Sequence, residues 1–226
     1  MACGIVRKGI DLVNGIMLKL KTIKRNLRDF NKVIVTGPPR SGTTIGAMII
    51  ADILGYQFID ESFYDADNSK KFMWFLTLKD DKMVIQTTGF LRDLYKLNNF
   101  VNINSVAIVL MDRSESDIIR SFKNSEKFTD TSVGIIPNLN KENQDKIKEG
   151  YNLKNDSRTV PEIVYSHFYS YIHSFDQHKI FKLGYDSLSQ HKLFVEKRKR
   201  RSNFAHMKQV KLDDPYFLLN QKPHFC

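Results

Sequence analysis

Residues 31 to 56, NKVIVTGPPRSGTTIGAMIIADILGY, constrain the fold more than any other stretch. A β-branched run at 32 to 37 meets a turn rich in Gly and Pro, then passes into a helical pattern at 43 to 54 that Gly55 should end. Gly37 and Gly42 have the spacing of a Walker phosphate loop, but Thr43 stands where an ATP-binding loop carries its lysine. The first amides of the helix lack intrahelical partners and lie at the positive end of its dipole, so such a loop can still cradle an anion. Arg40, inside the turn, can supply the cation that Thr43 does not. A plain strand-to-helix connection would have no need of the Pro-Pro-Arg-Ser-Gly-Thr-Thr string.

Further apolar runs of strand type occur at 56 to 60, 82 to 88, 105 to 112 and 179 to 185. Helical patterns separate them at 43 to 54, at 91 to 97, from Ser114 onward, and in VPEIVYSHFYSYIHSF, with Pro161 near its first turn. Strands alternating with helices predict a mainly parallel sheet covered on both faces. With 226 residues, 42% of them hydrophobic, the chain can bury one good core. The expectation is therefore a single α/β domain over residues 31 to 210, a three-layer fold of the P-loop NTPase type with a central parallel sheet of four or five strands. Residues 123 to 160 are rich in Asn, Lys, Asp and Ser with almost no apolar period, which suits a lid or insertion. Residues 211 to 226 read as a tail.

Ahead of this domain, Ile5, Ile10, Val13, Ile16, Met17 and Leu20 lie close to helical spacing with Lys and Arg between them. The spacing predicts a basic amphipathic helix within residues 1 to 30, packed on the domain, with a polar face that also suits contact with an anionic membrane surface. The net charge of +10 concentrates there and at 192 to 211, so polyanions and anionic cofactors join membranes as candidate partners, beside a plain solvated basic face. Aromatic residues do not interleave with the basic runs as a single-strand-binding surface requires, which argues against nucleic acid. No run approaches the roughly 20 apolar residues of a membrane span, and the charged N-terminus is unlike a signal peptide. Cys3 and Cys226, at the two ends, do not suggest a disulfide framework, and the expectation is a soluble, cytoplasmic protein. There is no internal repeat and no zinc-type Cys/His spacing.

Pro39-Arg40-Ser41-Gly42-Thr43-Thr44 resembles, residue for residue, the first signature of sulfotransferases that use 3′-phosphoadenosine 5′-phosphosulfate (PAPS). The resemblance implies that this loop holds the 5′-phosphosulfate, with Arg40 near the transferring group. A second signature, an Arg after a later strand and a Ser eight residues on that bind the 3′-phosphate, is matched by Arg113 and Ser121 in VLMDRSESDIIRS. On physical grounds Ser114 and Asp117 form an S-x-x-D cap, so a helix should start there, and an Arg at a strand end beside a helix N-terminus makes a phosphate site. An ordinary capped surface helix would explain that segment taken alone. The family often has a Pro shortly after this Arg, and Ser114-Glu115 lacks it. Tyr185-Asp186-Ser187-Leu188 is similar to the family's Tyr-Glu-Asp-Leu, whose Tyr lies near the adenine. EKRKRRSNF sits where many members place a basic segment over the 3′-phosphate, which brings in Arg198 and Arg200 from within Lys197 to Arg201.

Sulfuryl transfer to a hydroxyl needs in-line attack, a base for the acceptor proton and cations for the leaving phosphate. The histidine base of the family's cytosolic branch has no counterpart, because Gln86-Thr87-Thr88 stands in that place. Branches acting on protein tyrosines and glycans use a Glu soon after the loop helix. Glu61, 21 residues after Arg40, matches that interval, with Asp60 beside it as an alternative. Arg40, Glu61, Thr87, Arg113 and Tyr185 all follow predicted strands and can share one crevice at the sheet's C-terminal edge. His167 and His173 read as packing residues of an aromatic helix, and Trp74 as a core or acceptor-site residue.

The resemblance thus implies a PAPS-dependent sulfotransferase that needs no metal, acts on a small-molecule or glycan hydroxyl and releases 3′,5′-adenosine bisphosphate. A divergent P-loop nucleotide kinase or NTPase, and a non-catalytic nucleotide- or polyanion-binding protein of the same fold, are the alternatives. Nothing in the sequence identifies the acceptor.

Overall fold

The computed structural model describes residues 15–60, 82–88, 105–123, 128–130, 134–136, 145, 148, 149, 157–160, 162, 163, 165, 166, 168 and 179–194. Among the described residues the chain runs β1 (Ile16–Leu18), α1 (Ile23–Leu27), β2 (Lys32–Thr36), α2 (Thr43–Leu54), β3 (Gln57–Ile59), β4 (Met83–Gln86), β5 (Val106–Asp112), α3 (Glu115–Lys123), β6 (Phe128–Asp130), β7 (Gly134–Ile136) and β8 (Lys179–Gly184), with further helical residues at 145, 148, 149, 160, 162, 163, 165, 166 and 168. Six of the strands form one sheet in the order β1-β8-β5-β2-β4-β3, and every pairing in it is parallel.

The most apolar strands lie at the centre of that sheet. β2 is buried at all of its residues and pairs with β4 on one side (Val35 opposite Gln86) and β5 on the other (Thr36 opposite Leu110). Val33, Val35, Ala107, Val109, Met111, Phe181 and Leu183 share a core with α1 and α2. The alternate residues Ile34, Ile108, Leu110 and Ile180 are buried as well. Both faces of the sheet are therefore covered, as a parallel sheet demands, and the fold is three-layered. α2 closely approaches β5: a Cβ on Gly46 would fall 2.5 Å from Met111 Sδ.

The sheet has six strands rather than four or five, and the sixth corrects the reading of the N-terminal segment. Ile16 and Met17, read from their spacing as helical, form a strand with Leu18, with Ile16 opposite Phe181 and Leu18 opposite Leu183. Without it the outer edge of β8 would leave a row of backbone donors and acceptors unpaired, and satisfying that ladder outweighs a local period. Leu18 is buried while Ile16 and Met17 are each 57% exposed. After this strand come a 3-10 turn at Leu20–Thr22 and then α1, whose Ile23 and Leu27, four residues apart, are both buried. Residues 1 to 14 lie outside the described residues.

β6 and β7 pair antiparallel, with Thr129 opposite Ile135, inside the stretch expected to be a lid. Most of that stretch, and the helix expected at 91 to 97, lie outside the described residues. No described helix is long and apolar enough to cross a membrane.

Candidate phosphate site at the C-terminal edge of the sheet

Because the six strands are parallel, the chain leaves β2, β4, β5 and β8 at the same edge. Gly37, Thr87, Arg113 and Tyr185 sit at or just past those ends. The loop after β2 turns tightly: the Ser41 amide donates to the Pro38 carbonyl at 3.0 Å. Arg40 has φ +73° and Gly42 φ +95°. A left-handed arginine is strained, by about 1–2 kcal/mol, so the surrounding structure must hold it there. Gly42 is required twice over, by its φ and because a Cβ would lie 2.4 Å from Cδ2 of Tyr185. The first bond of α2 runs from the Gly46 amide to the Gly42 carbonyl at 2.9 Å, which leaves the amides before it facing the loop.

Two arginines meet above that loop. Arg113 Nη1 donates to the Arg40 carbonyl at 2.8 Å, and its guanidinium lies 4.3 Å from the centroid of the Tyr185 ring, which it faces as a cation–π pair. Arg40 Nε donates to Ser121 Oγ at 3.2 Å. Four residues from three chain segments, Arg40, Arg113 with Ser121, and Tyr185, thus converge. The helix that delivers Ser121 is capped as its sequence requires. Ser114 Oγ accepts from the Asp117 amide at 3.2 Å and donates to Asp117 Oδ2 at 2.7 Å. The Ser114 hydroxyl, with smaller contributions from Arg120 and Arg113, holds the Asp117 carboxyl below its ordinary range.

The electrostatics leave room for an anion. Burial, and next the neighbouring Arg113 charge, push the Arg40 guanidinium below its usual range. Among the described residues neither arginine is salt-bridged to a carboxylate. Ser41 Oγ and Arg113 Nε are buried with no hydrogen-bond partner among those residues. Buried donors and paired cations without counter-charge are costly, and a phosphate or sulfate group would satisfy both. On this test the residues fit a phosphate- or sulfate-like anionic group.

Tyr185 is fixed from behind. It opens a 3-10 segment, Tyr185–Gln190, and packs edge-on against Phe194 at 5.6 Å between centroids. The same segment is tied to α2 where His191 Nε2 lies 3.5 Å and Lys192 Nζ 3.8 Å from Asp52 Oδ2.

Of the residues singled out from sequence, Pro39, Arg40, Ser41, Gly42, Thr43 and Thr44 form the loop and first helical turn, and Arg113, Ser121 and Tyr185 lie around it. Asp60 follows β3 directly. Glu61, Trp74, His167, His173, Arg198 and Arg200 lie outside the described residues. One neighbour was not anticipated: Gln86, at the end of β4, donates from Nε2 to Thr43 Oγ1 at 3.3 Å. The sequence showed Gln86 only as a residue standing where a family motif would be. Its partner becomes visible through the register that sets β4 beside β2.

No protein-family model matches the chain, and no curated protein matches it. Among solved structures, a gluconokinase from Sinorhizobium meliloti 1021 is similar with a TM-score of 0.35 and 14% sequence identity, over 72% of this chain and 94% of that one. So distant a likeness identifies neither reaction nor ligand, and the α/β phosphate-loop fold rests on the sheet and loop themselves.

Proposed function

We propose that the chain is a PAPS-dependent sulfotransferase acting on a hydroxyl acceptor, a small molecule or a glycan. The observation that carries this reading is the meeting of Arg40, Arg113 and Ser121, which joins the two sequence signatures into one cationic site. A 5′-phosphosulfate on the loop amides and a 3′-phosphate between Arg113 and Ser121 would neutralise it. No metal is needed.

In the transfer step the acceptor oxygen forms a bond to sulfur while the bond from sulfur to the 5′-phosphate oxygen breaks. The electron pair of that broken bond stays on 3′,5′-adenosine bisphosphate, where Arg40 and the loop amides offset the charge. The acceptor proton goes to a carboxylate past β3. Glu61 is the choice that the family resemblance makes, and Asp60 is the alternative.

A P-loop nucleotide kinase or NTPase would want a lysine at position 43, where this chain has a threonine whose hydroxyl is hydrogen-bonded to Gln86. A binding protein without turnover would keep the nucleotide site and lack the base. Calorimetric titration with 3′,5′-adenosine bisphosphate and, separately, with ADP and magnesium tests the reading. Micromolar binding of the bisphosphate alone supports it, and binding of magnesium ADP alone, or of neither, overturns it. Bisphosphate binding together with failure of the chain to consume PAPS across hydroxyl acceptors would favour the binding protein.

A further inference from the structure

Thr43 stands at the first position of α2, and its side chain is tied to a residue from a different strand. Gln86 Nε2 donates to Thr43 Oγ1 at 3.3 Å, and both residues are nearly enclosed, at 3% and 5% exposure. A threonine hydroxyl has one proton to give and two lone pairs to receive with. Once the amide of Gln86 occupies a lone pair, the hydroxyl's own proton is directed elsewhere. Beside it are the first amides of α2, which lack intrahelical partners, and Ser41 Oγ, buried in the loop with no partner among the described residues.

We infer that Gln86 is a positioning residue: its amide fixes the Thr43 hydroxyl as a donor toward an anion held on the loop. The charge-bearing lysine of a Walker loop is thereby replaced by an oriented hydroxyl, and β4 becomes part of the binding machinery without itself touching the ligand. The register Val35 opposite Gln86 brings this about, because β4 ends level with the strand that feeds the loop. A carboxylate at position 86 would do the reverse, accepting the Thr43 proton and turning the hydroxyl's lone pairs toward the anion. The inference refines the sulfotransferase reading at its loop, yet needs only that an anion binds there.

The experiment is calorimetric titration of wild type, Gln86→Glu, Gln86→Met and Thr43→Val with 3′,5′-adenosine bisphosphate, and with inorganic pyrophosphate. Gln86→Met removes the amide at similar volume and should weaken binding severalfold. Gln86→Glu should weaken it by about tenfold or more at pH 8, because the hydroxyl is then misdirected. That loss should shrink as the pH falls relative to wild type at the same pH, since a protonated carboxyl can donate to Thr43 as the amide does. A merely structural role for Gln86 would not produce this pH profile. In the Gln86→Met, Thr43→Val double variant the losses should be less than additive.

Binding by Gln86→Glu equal to wild type at pH 8, or fully additive losses in the double variant, would overturn the inference and leave the sulfotransferase reading standing. Should Gln86→Glu fail to fold, the double variant alone decides. If wild type binds pyrophosphate and not the bisphosphate, the sulfotransferase reading falls and the pyrophosphate series decides the inference. If wild type binds neither, both fall.

Discussion

The two ends of α2 are built to opposite specifications. At its C-terminal end every element closes. Gly55, with φ +70°, caps the helix by donating to the Ala51 carbonyl at 2.8 Å. The Tyr56 hydroxyl lies within hydrogen-bond distance of the Arg28 and Phe30 carbonyls, at 2.8 and 3.1 Å, and Asp52 faces both His191 and Lys192. At its N-terminal end the same helix begins from a strained arginine, a glycine wedged against Tyr185 and, among the described residues, buried donors with no partner and two guanidinium groups without a carboxylate. Buried polar groups in folded proteins are almost always paired. On the proposed reading, the end left unpaired is where the chain gives up stability for binding.

This contrast yields graded expectations, beginning with the binding end. Gly42→Ala should have the largest effect, because it forces a Cβ into the Tyr185 ring at a φ that alanine resists. Loss of roughly 2–4 kcal/mol of stability, or displacement of Tyr185 with loss of anion binding, is expected. Thermal melting together with calorimetry separates the two outcomes. Unchanged melting and unchanged binding would show that the loop is not held as described.

At the closed end, Tyr56→Phe removes the hydroxyl shared by two backbone carbonyls and should lower stability by about 1 kcal/mol in a urea melt while leaving nucleotide affinity unchanged. An affinity change of tenfold would break the separation between the two ends.

The smallest effect concerns His191. Burial, partly offset by Asp52, holds its pKa below the ordinary 6.5, so the unfolded chain takes up the proton more readily. Stability contributed by the neutral ring is complete above 6.5 and declines as the pH falls through the lowered folded-state value. Denaturant melts from pH 8 to 5 should show that decline, and His191→Gln should make it shallower.

How far the sequence could be read depended on whether a feature was local. The strands at 32 to 37, 56 to 60, 82 to 88, 105 to 112 and 179 to 185 were legible because each is a short apolar run between turn signals, and all five appear within a residue or two. The start of α3 was legible because Ser114 and Asp117 carry the cap themselves. β1 was not, since Ile16, Met17 and Leu18 acquire strand structure only by pairing with a strand more than 160 residues later in the chain. For the same reason the phosphate loop was plain in PPRSGTT, while the Gln86 contact to Thr43 was hidden. That contact depends on which strand neighbours β2, and no local pattern encodes that. The meeting of Arg40 with Ser121 lies between these cases: two motifs each visible alone, and a fold that sets them side by side.

Whether the open end of α2 forms one nucleotide site with Arg113 and Ser121 is decided by comparing two ligands on two proteins. The affinity of 3′,5′-adenosine bisphosphate relative to adenosine 5′-monophosphate should be measured for wild type and for Arg113→Ala. Wild type should prefer the bisphosphate, and that preference should fall by roughly tenfold to a hundredfold in the variant, as expected when one partner of a close charge pair is removed. Equal binding of the two ligands by wild type, or a preference that survives in Arg113→Ala, would contradict the single site.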